Sequence, residues 1–79
     1  MVTVRLFASA REAAGADRVE LAGSTVGEVL DEARRTLGES FSAVLEVSNV
    51  WLNGEAVELD TAVADGDEVA VLPPVSGGL

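Results

Sequence analysis

Few side chains in this 79-residue chain could do chemistry by themselves. There is no cysteine and no histidine, which removes the thiol nucleophile, the usual general base and the commonest metal ligand. Lysine is absent too. The five basic residues are Arg5, Arg11, Arg18, Arg34 and Arg35, so no side-chain amine is offered for conjugation or a Schiff base. Carboxylates do cluster, Asp65 with Asp67 and Glu68, and Glu58 with Asp60. Such pairs can serve acid–base chemistry or hold calcium. Here they fall in turn sequences, where aspartate is favoured for its own backbone hydrogen bonds, and "DGDE" lacks the ligand spacing of a calcium loop. No glycine-rich phosphate loop is present.

What remains is the last stretch, "LPPVSGGL". Pro73 and Pro74 fix φ and stop a sheet ladder, so the residues after them leave in a set direction. Gly77 and Gly78 lack Cβ and can thread where any side chain would clash. An extended Val75, Ser76, Gly77 and Gly78 would reach roughly 13 Å, enough to enter another protein's active site. The reactive group would then be the carboxylate at the tip, activated by that partner. Taken alone, the segment also fits a flexible end with two chance glycines.

Composition narrows the partners. The net charge is −9, from 14 acidic and 5 basic residues. An acidic domain of this kind is repelled by nucleic acid and by anionic membranes, and an aromatic content of 4% is too low for stacking on single strands. The charge suits a partner with a basic surface, or solubility alone. No apolar run approaches the ~20 residues of a membrane span, and no signal segment opens the chain; a soluble cytoplasmic protein is expected. With 48% hydrophobic residues, the chain has material for one domain with a core.

The elements that must position the tail are legible from periodicity. Val2, Val4, Leu6 and Ala8 alternate with Thr3, Arg5 and Phe7, which predicts a half-buried strand over Val2–Ala8. One helical turn is allowed before the break at Gly15 and Asp17. "RVELA" reads as a second strand with Val19 and Leu21 inward. A helix follows, with Thr25 and Glu28 as a capping box, Val26, Val29, Leu30, Ala33 and Leu37 on one stripe, Asp31 four residues before Arg35, and Gly38 placed for a left-handed cap. Gly27 is a mild cost in its first turn. "FSAVLEV" fits a second short helix. Asn53-Gly54 signals a type I′ hairpin with Val50 and Leu52 on one face and Trp51 on the other. Asp65-Gly66 marks a turn, and "EVAVLPP" a final apolar strand. Strand, strand, helix and three strands predict a two-layer α+β domain.

That order resembles the ubiquitin-like β-grasp, a mixed sheet of about five strands on one main helix, in which the first and last strands pair in parallel at the centre. Sequence adds to the likeness. "VRLFASAREAAG", "TVGEVLDEA", "VWLNGEAV" and "DGDEVAVLPPVSGG" together resemble the molybdopterin synthase small subunit, the MoaD-like sulfur carriers, along the whole length. The resemblance implies a domain over residues 1–74 with a flexible tail over 75–79. It implies adenylation of Gly78 by a ubiquitin-activating-enzyme-like adenylyltransferase (MoeB-like) using ATP, and conversion to a thiocarboxylate with sulfur from a donor protein. It further implies insertion of the tail into the synthase large subunit (MoaE-like), where two carriers build the molybdopterin dithiolene. No cofactor is expected to be bound by the chain, which has no self-contained active site. Leu79 departs from the family, which ends at the second glycine; a cloning remnant or a trimmed residue are the two readings. Carriers for thiamin or cysteine biosynthesis share the tail chemistry. A ubiquitin-like interaction module would instead keep its function without Gly77 and Gly78.

A docking face follows if the first and last strands pair centrally. Phe7 and Leu72 would then share the sheet face away from Val4 and Leu6, beside Pro73 and Pro74, and Trp51 would extend the patch from the next strand. The other reading packs Phe7 or Trp51 under a loop as core. The charge generates the first test. Affinity for the large subunit or the adenylyltransferase should fall as salt rises, because a domain at −9 meets a basic surface. Affinity that is flat with ionic strength would remove charge as the selector.

Overall fold

Burial of one strand face against helices organises the chain. The computed structural model describes residues 1–74; the expected flexible tail lies outside the described residues. The elements are β1 (Val2–Leu6), α1 (Ala8–Ala14), β2 (Arg18–Leu21), α2 (Val26–Leu37), α3 (Glu39–Glu46), β3 (Asn49–Leu52), β4 (Glu55–Ala56) and β5 (Glu68–Leu72). The five strands form one sheet in the order β2-β1-β5-β3-β4. Strand β1 runs parallel to β5 and antiparallel to β2, and β3 runs antiparallel to both β5 and β4. The central parallel pair expected from the β-grasp likeness is present.

The core lies on one side of the sheet. Val2, Val4 and Leu6 of β1, Leu21 of β2, and Val69 and Val71 of β5 are buried with Ala10, Val26, Val29, Leu30, Ala33, Phe41 and Leu45 from the three helices. The period of two in the strands and the 3.6-residue stripe of α2 therefore meet in one apolar layer. No side-chain polar atom of the described residues is buried without a hydrogen-bond partner.

Strand β1 stops earlier than its alternation suggests. Ala8, expected on the inner strand face, is exposed and opens α1 with φ of +51°. Left-handed backbone costs an alanine about 1–2 kcal/mol. The turn is held by the Phe7 carbonyl, which accepts the Ala10 N–H at 3.0 Å and the Arg11 N–H at 3.4 Å. Good helix formers in "ASAREAA" then extend the single expected turn to seven residues.

Helix α2 starts as its sequence suggests. The Thr25 hydroxyl oxygen accepts the Glu28 N–H at 3.2 Å, while the Glu28 carboxylate accepts the Ser24 N–H at 2.9 Å, one residue before the cap. The expected Asp31–Arg35 pair is not formed. Arg34 pairs with Asp31 at 2.8 Å and Arg35 with Glu32, both three residues apart, since two acids followed by two arginines offer that spacing equally. The Arg35 hydrogen bond lowers the Glu32 pKa and raises that of Arg35. Gly38 has φ of +92° but an extended ψ of −175°, so it is a hinge between α2 and α3 rather than a left-handed cap.

Two glycines let backbones approach. The Gly27 N–H donates to the Leu59 carbonyl at 2.8 Å, where a Cβ would lie 3.1 Å from that oxygen. The apparent cost of glycine in the helix thus secures the β4–β5 connection. At Gly23 a Cβ would stand 2.7 Å from Val29 Cγ2 and 2.8 Å from the Val29 nitrogen. Gly23→Ala should destabilise the domain by about 1–3 kcal/mol, as overpacking does. Urea unfolding checks this; an unchanged midpoint would show that the segment before α2 can shift freely.

Candidate functional site

The sheet face opposite the helices is the candidate site, and register builds it row by row. Arg5 stands opposite Arg18 on one side and Ala70 on the other, Ala70 is opposite Trp51, and Trp51 is opposite Ala56. One row thus crosses all five strands on the outer face. In the next row Leu72 is opposite Asn49. Phe7 has extended backbone (φ −122°, ψ 151°) and follows Leu6, which pairs with Val71, so it continues β1 by one step beside Leu72. Its ring faces outward, because the Arg5 guanidinium lies over it, 5.5 Å from the centroid.

Exposure separates these residues from the core. Phe7 is 38% exposed and Trp51 41%, so neither packs under a loop. Leu72, Ala70 and Pro73 are half-buried and Pro74 is exposed. The structure places Phe7, Leu72 and Trp51 on one face of three adjacent strands. Central strand β5 ends on that face, at the end of the sheet where β1 turns at Phe7. Pro73 and Pro74 follow directly, at the end of the sheet where Phe7 lies; Val75, Ser76, Gly77 and Gly78 lie outside the described residues.

Charge on this face differs from the rest of the surface. Arg5 pairs with Glu68 at 3.5 Å, and the Thr3 hydroxyl donates to Glu20 at 2.6 Å. The apolar strip is therefore bordered by both signs, while most of the acidic residues lie on the helices and loops. Arg5 and Arg18 were not among the expected docking residues, although alternation already put Arg5 on the Phe7 side. The Arg5–Arg18 juxtaposition depends on a register that only the paired strands reveal.

The clustered carboxylates serve turns. Asp67 accepts the Ala64 N–H at 2.9 Å and the Asn53 side-chain amide at 3.2 Å. Asp65 receives the Met1 ammonium at 2.5 Å, and that hydrogen bond holds its carboxyl below the usual range. Among the described residues no group of three acids is placed to hold a metal ion, and no helix is long and apolar enough to cross a membrane. Two open clefts, of about 350 and 290 Å³, lie away from the strip; the first is lined by Met1, Gly23 and Asp65, the second by Leu30, Leu45 and Leu59.

Comparison with known proteins adds the decisive observation. The model of the ThiS family matches residues 4–78, from β1 through both glycines. The chain belongs to the ThiS family. It is a small sulfur-carrier domain of the ThiS/MoaD type with the β-grasp fold. Small archaeal modifier protein 1 of Haloferax volcanii is 41% identical, over 94% of this chain and 97% of that protein. The molybdopterin synthase sulfur carrier subunit of Haemophilus influenzae is 35% identical over 99% of this chain and all of its own length. Among solved structures, small archaeal modifier protein 1 from Methanosarcina acetivorans superposes with a TM-score of 0.86 at 33% identity, covering 98% of this chain and 95% of that one. A chain from the complex of subunits 1 and 2 of the molybdopterin-converting factor from Helicobacter pylori superposes at 0.74 with 27% identity, covering 98% and 97%.

The ThiS-family domain thus carries an exposed aromatic strip at the root of its tail, the arrangement of an interface anchor. Phe7→Ala should leave thermal unfolding near that of the unaltered chain, while affinity for a protein docking on this face falls by about 1–3 kcal/mol. A sharp loss of stability with normal binding of the folded fraction would assign Phe7 to the core instead.

Proposed function

We propose that this chain is the sulfur-carrying subunit of a molybdopterin synthase, working through Gly78. One observation carries the reading: the central strand ends in Pro73-Pro74 beside an exposed Phe7–Leu72–Trp51 strip, and the family match continues through Gly78. The domain docks by the strip and the glycine arm enters the partner.

The chemistry follows from the carboxylate. A carboxylate is a poor electrophile because its leaving group would be oxide. An adenylyltransferase (MoeB-like) uses ATP to join the Gly78 carboxylate to AMP, releasing pyrophosphate. Hydrosulfide supplied by a donor protein then attacks the carbonyl, a C–S bond forms, AMP departs with the electrons of the C–O bond, and loss of the proton leaves a thiocarboxylate. In the large subunit (MoaE-like) that sulfur is transferred to cyclic pyranopterin monophosphate, and two carriers supply the two dithiolene sulfurs. The complex of two converting-factor subunits from Helicobacter pylori supports a protein partner of this kind. Leu79 follows Gly78 in the sequence, so the working form is the one whose carboxylate belongs to Gly78. Phe7, Leu72, Trp51, Pro73 and Pro74 bind the partner; Val75, Ser76 and Gly77 give the arm its reach.

Intact-mass measurement of the protein from its own cells tests this. The expected species ends at Gly78 and is heavier than the free acid by the exchange of one oxygen for sulfur. Removal of Gly77 and Gly78 should abolish molybdopterin formation. If function survives that deletion and no sulfur is found, the chain is a ubiquitin-like interaction module.

A further inference from the structure

The outer sheet face is banded by charge along its strands. Farthest from Pro73 and Pro74, Thr3 stands opposite Glu20 on one side and Glu68 on the other, which makes an acidic row. Two residues on, about 7 Å along the strands, Arg5 stands opposite Arg18, with Ala70 on its other side, which makes a basic row. Two residues further comes the apolar row of Phe7 and Leu72. The bands therefore run acid, base, apolar toward the end of the sheet that carries the two prolines.

The basic row is the unrelieved one. Like charges directly opposite each other on paired strands repel, and this domain sets two of its five arginines in that position. Neighbouring carboxylates answer them only in part. Glu68 reaches Arg5 at 3.5 Å, while Glu20 is turned to the Thr3 hydroxyl at 2.6 Å. Among the described residues no carboxylate pairs with Arg18, whereas Arg34 and Arg35 on α2 each hold an acid three residues away. Arg5 cannot stay in water when the face is used. Its guanidinium lies over the Phe7 ring, 5.5 Å from the centroid, so a protein that covers the ring covers the guanidinium as well. Burying a cation without a counter-charge is costly, and the guanidinium fork matches the two oxygens of a carboxylate.

We propose that the Arg5–Arg18 row is a docking subsite for an acidic side chain of the partner protein, set one row from the point where Phe7 anchors. The inference rests on the reading that this face binds a partner. A partner surface that is basic overall then carries one acidic spot, and that spot fixes the register of docking: apolar surface against Phe7 and Leu72, a carboxylate against Arg5 and Arg18. A phosphate would satisfy the same guanidiniums. Continuity with the apolar strip favours a protein carboxylate, because Arg5 and Phe7 touch and are covered together.

The test compares Arg18→Gln with Arg35→Gln, each of which makes the chain more negative by one charge. Arg35 is exposed on α2, away from the outer face. Binding to the synthase large subunit is measured by calorimetry, and unfolding of each free chain by heating. Arg18→Gln should weaken binding about tenfold or more, while Arg35→Gln should bind as the unaltered chain does or slightly tighter. The free Arg18→Gln chain should unfold at the same temperature or higher, since the repulsion with Arg5 is gone. Binding of Arg18→Gln as tight as that of Arg35→Gln would overturn the proposal, because net charge would then be all that the partner reads. A free Arg18→Gln chain that unfolds several degrees lower would also overturn it, by giving Arg18 a role in the fold. So would uptake of ATP by the free chain that Arg18→Gln abolishes, which would make the row a phosphate site. Failure of every chain to bind, the unaltered one included, would count against the synthase reading, and the unfolding and ATP measurements on the free chain would still decide the subsite.

Discussion

The structure depends on the parallel pairing of its first and last strands. Val4 lies beside Val69 and Leu6 beside Val71, all four buried at the centre of the sheet. Parallel neighbours need a long crossover, and here everything between β1 and β5 supplies it: a hairpin partner, three helices and a second hairpin. Because both strands point the same way, the turn at Phe7 and the prolines after β5 arrive at one end. Antiparallel pairing would have put the aromatic anchor and the root of the tail at opposite ends of the molecule.

Pattern made much of this legible. The alternation in β1 and β5, the apolar stripe and capping residues of α2, and Asn53-Gly54, with φ of +50° and +88°, are local signals that the tertiary structure keeps. Parity put Phe7 and Trp51 on the outer face, and their exposure in the structure decides against packing under a loop. The misreadings come from competition that periodicity does not weigh, either a nearer local partner or a contact distant in sequence. Ala8 continues the strand pattern, yet the chain turns there to begin α1. Gly27 looks costly until the Leu59 carbonyl is brought against it. Arg35 takes the nearer Glu32 over Asp31. The Arg5–Arg18 pair needs two strands in register before it exists.

The outer face combines an apolar strip with a border of mixed charge. An apolar strip supplies affinity without much direction, while charged borders fix orientation and approach. Arg5 does both at once, lying over the Phe7 ring and reaching Glu68. With two arginines side by side on an otherwise acidic domain, like charges crowd where a partner's carboxylate would relieve them. The local pattern of this face thus differs from the net charge of the domain.

The β4–β5 connection is stitched to the start of α2. Val26 N–H donates to the Thr61 carbonyl at 2.9 Å and Gly27 N–H to Leu59, while Thr25 takes the amides of Glu28 and Val29. A helix N-terminus with open amides is a ready receptor for phosphate. In this domain the chain's own carbonyls and hydroxyl have closed it, so the positive end of the α2 dipole is spent on holding the loop. The amides that such a receptor would need are already taken at α2, and the same bonds tie the β4–β5 connection to the helix that covers the sheet.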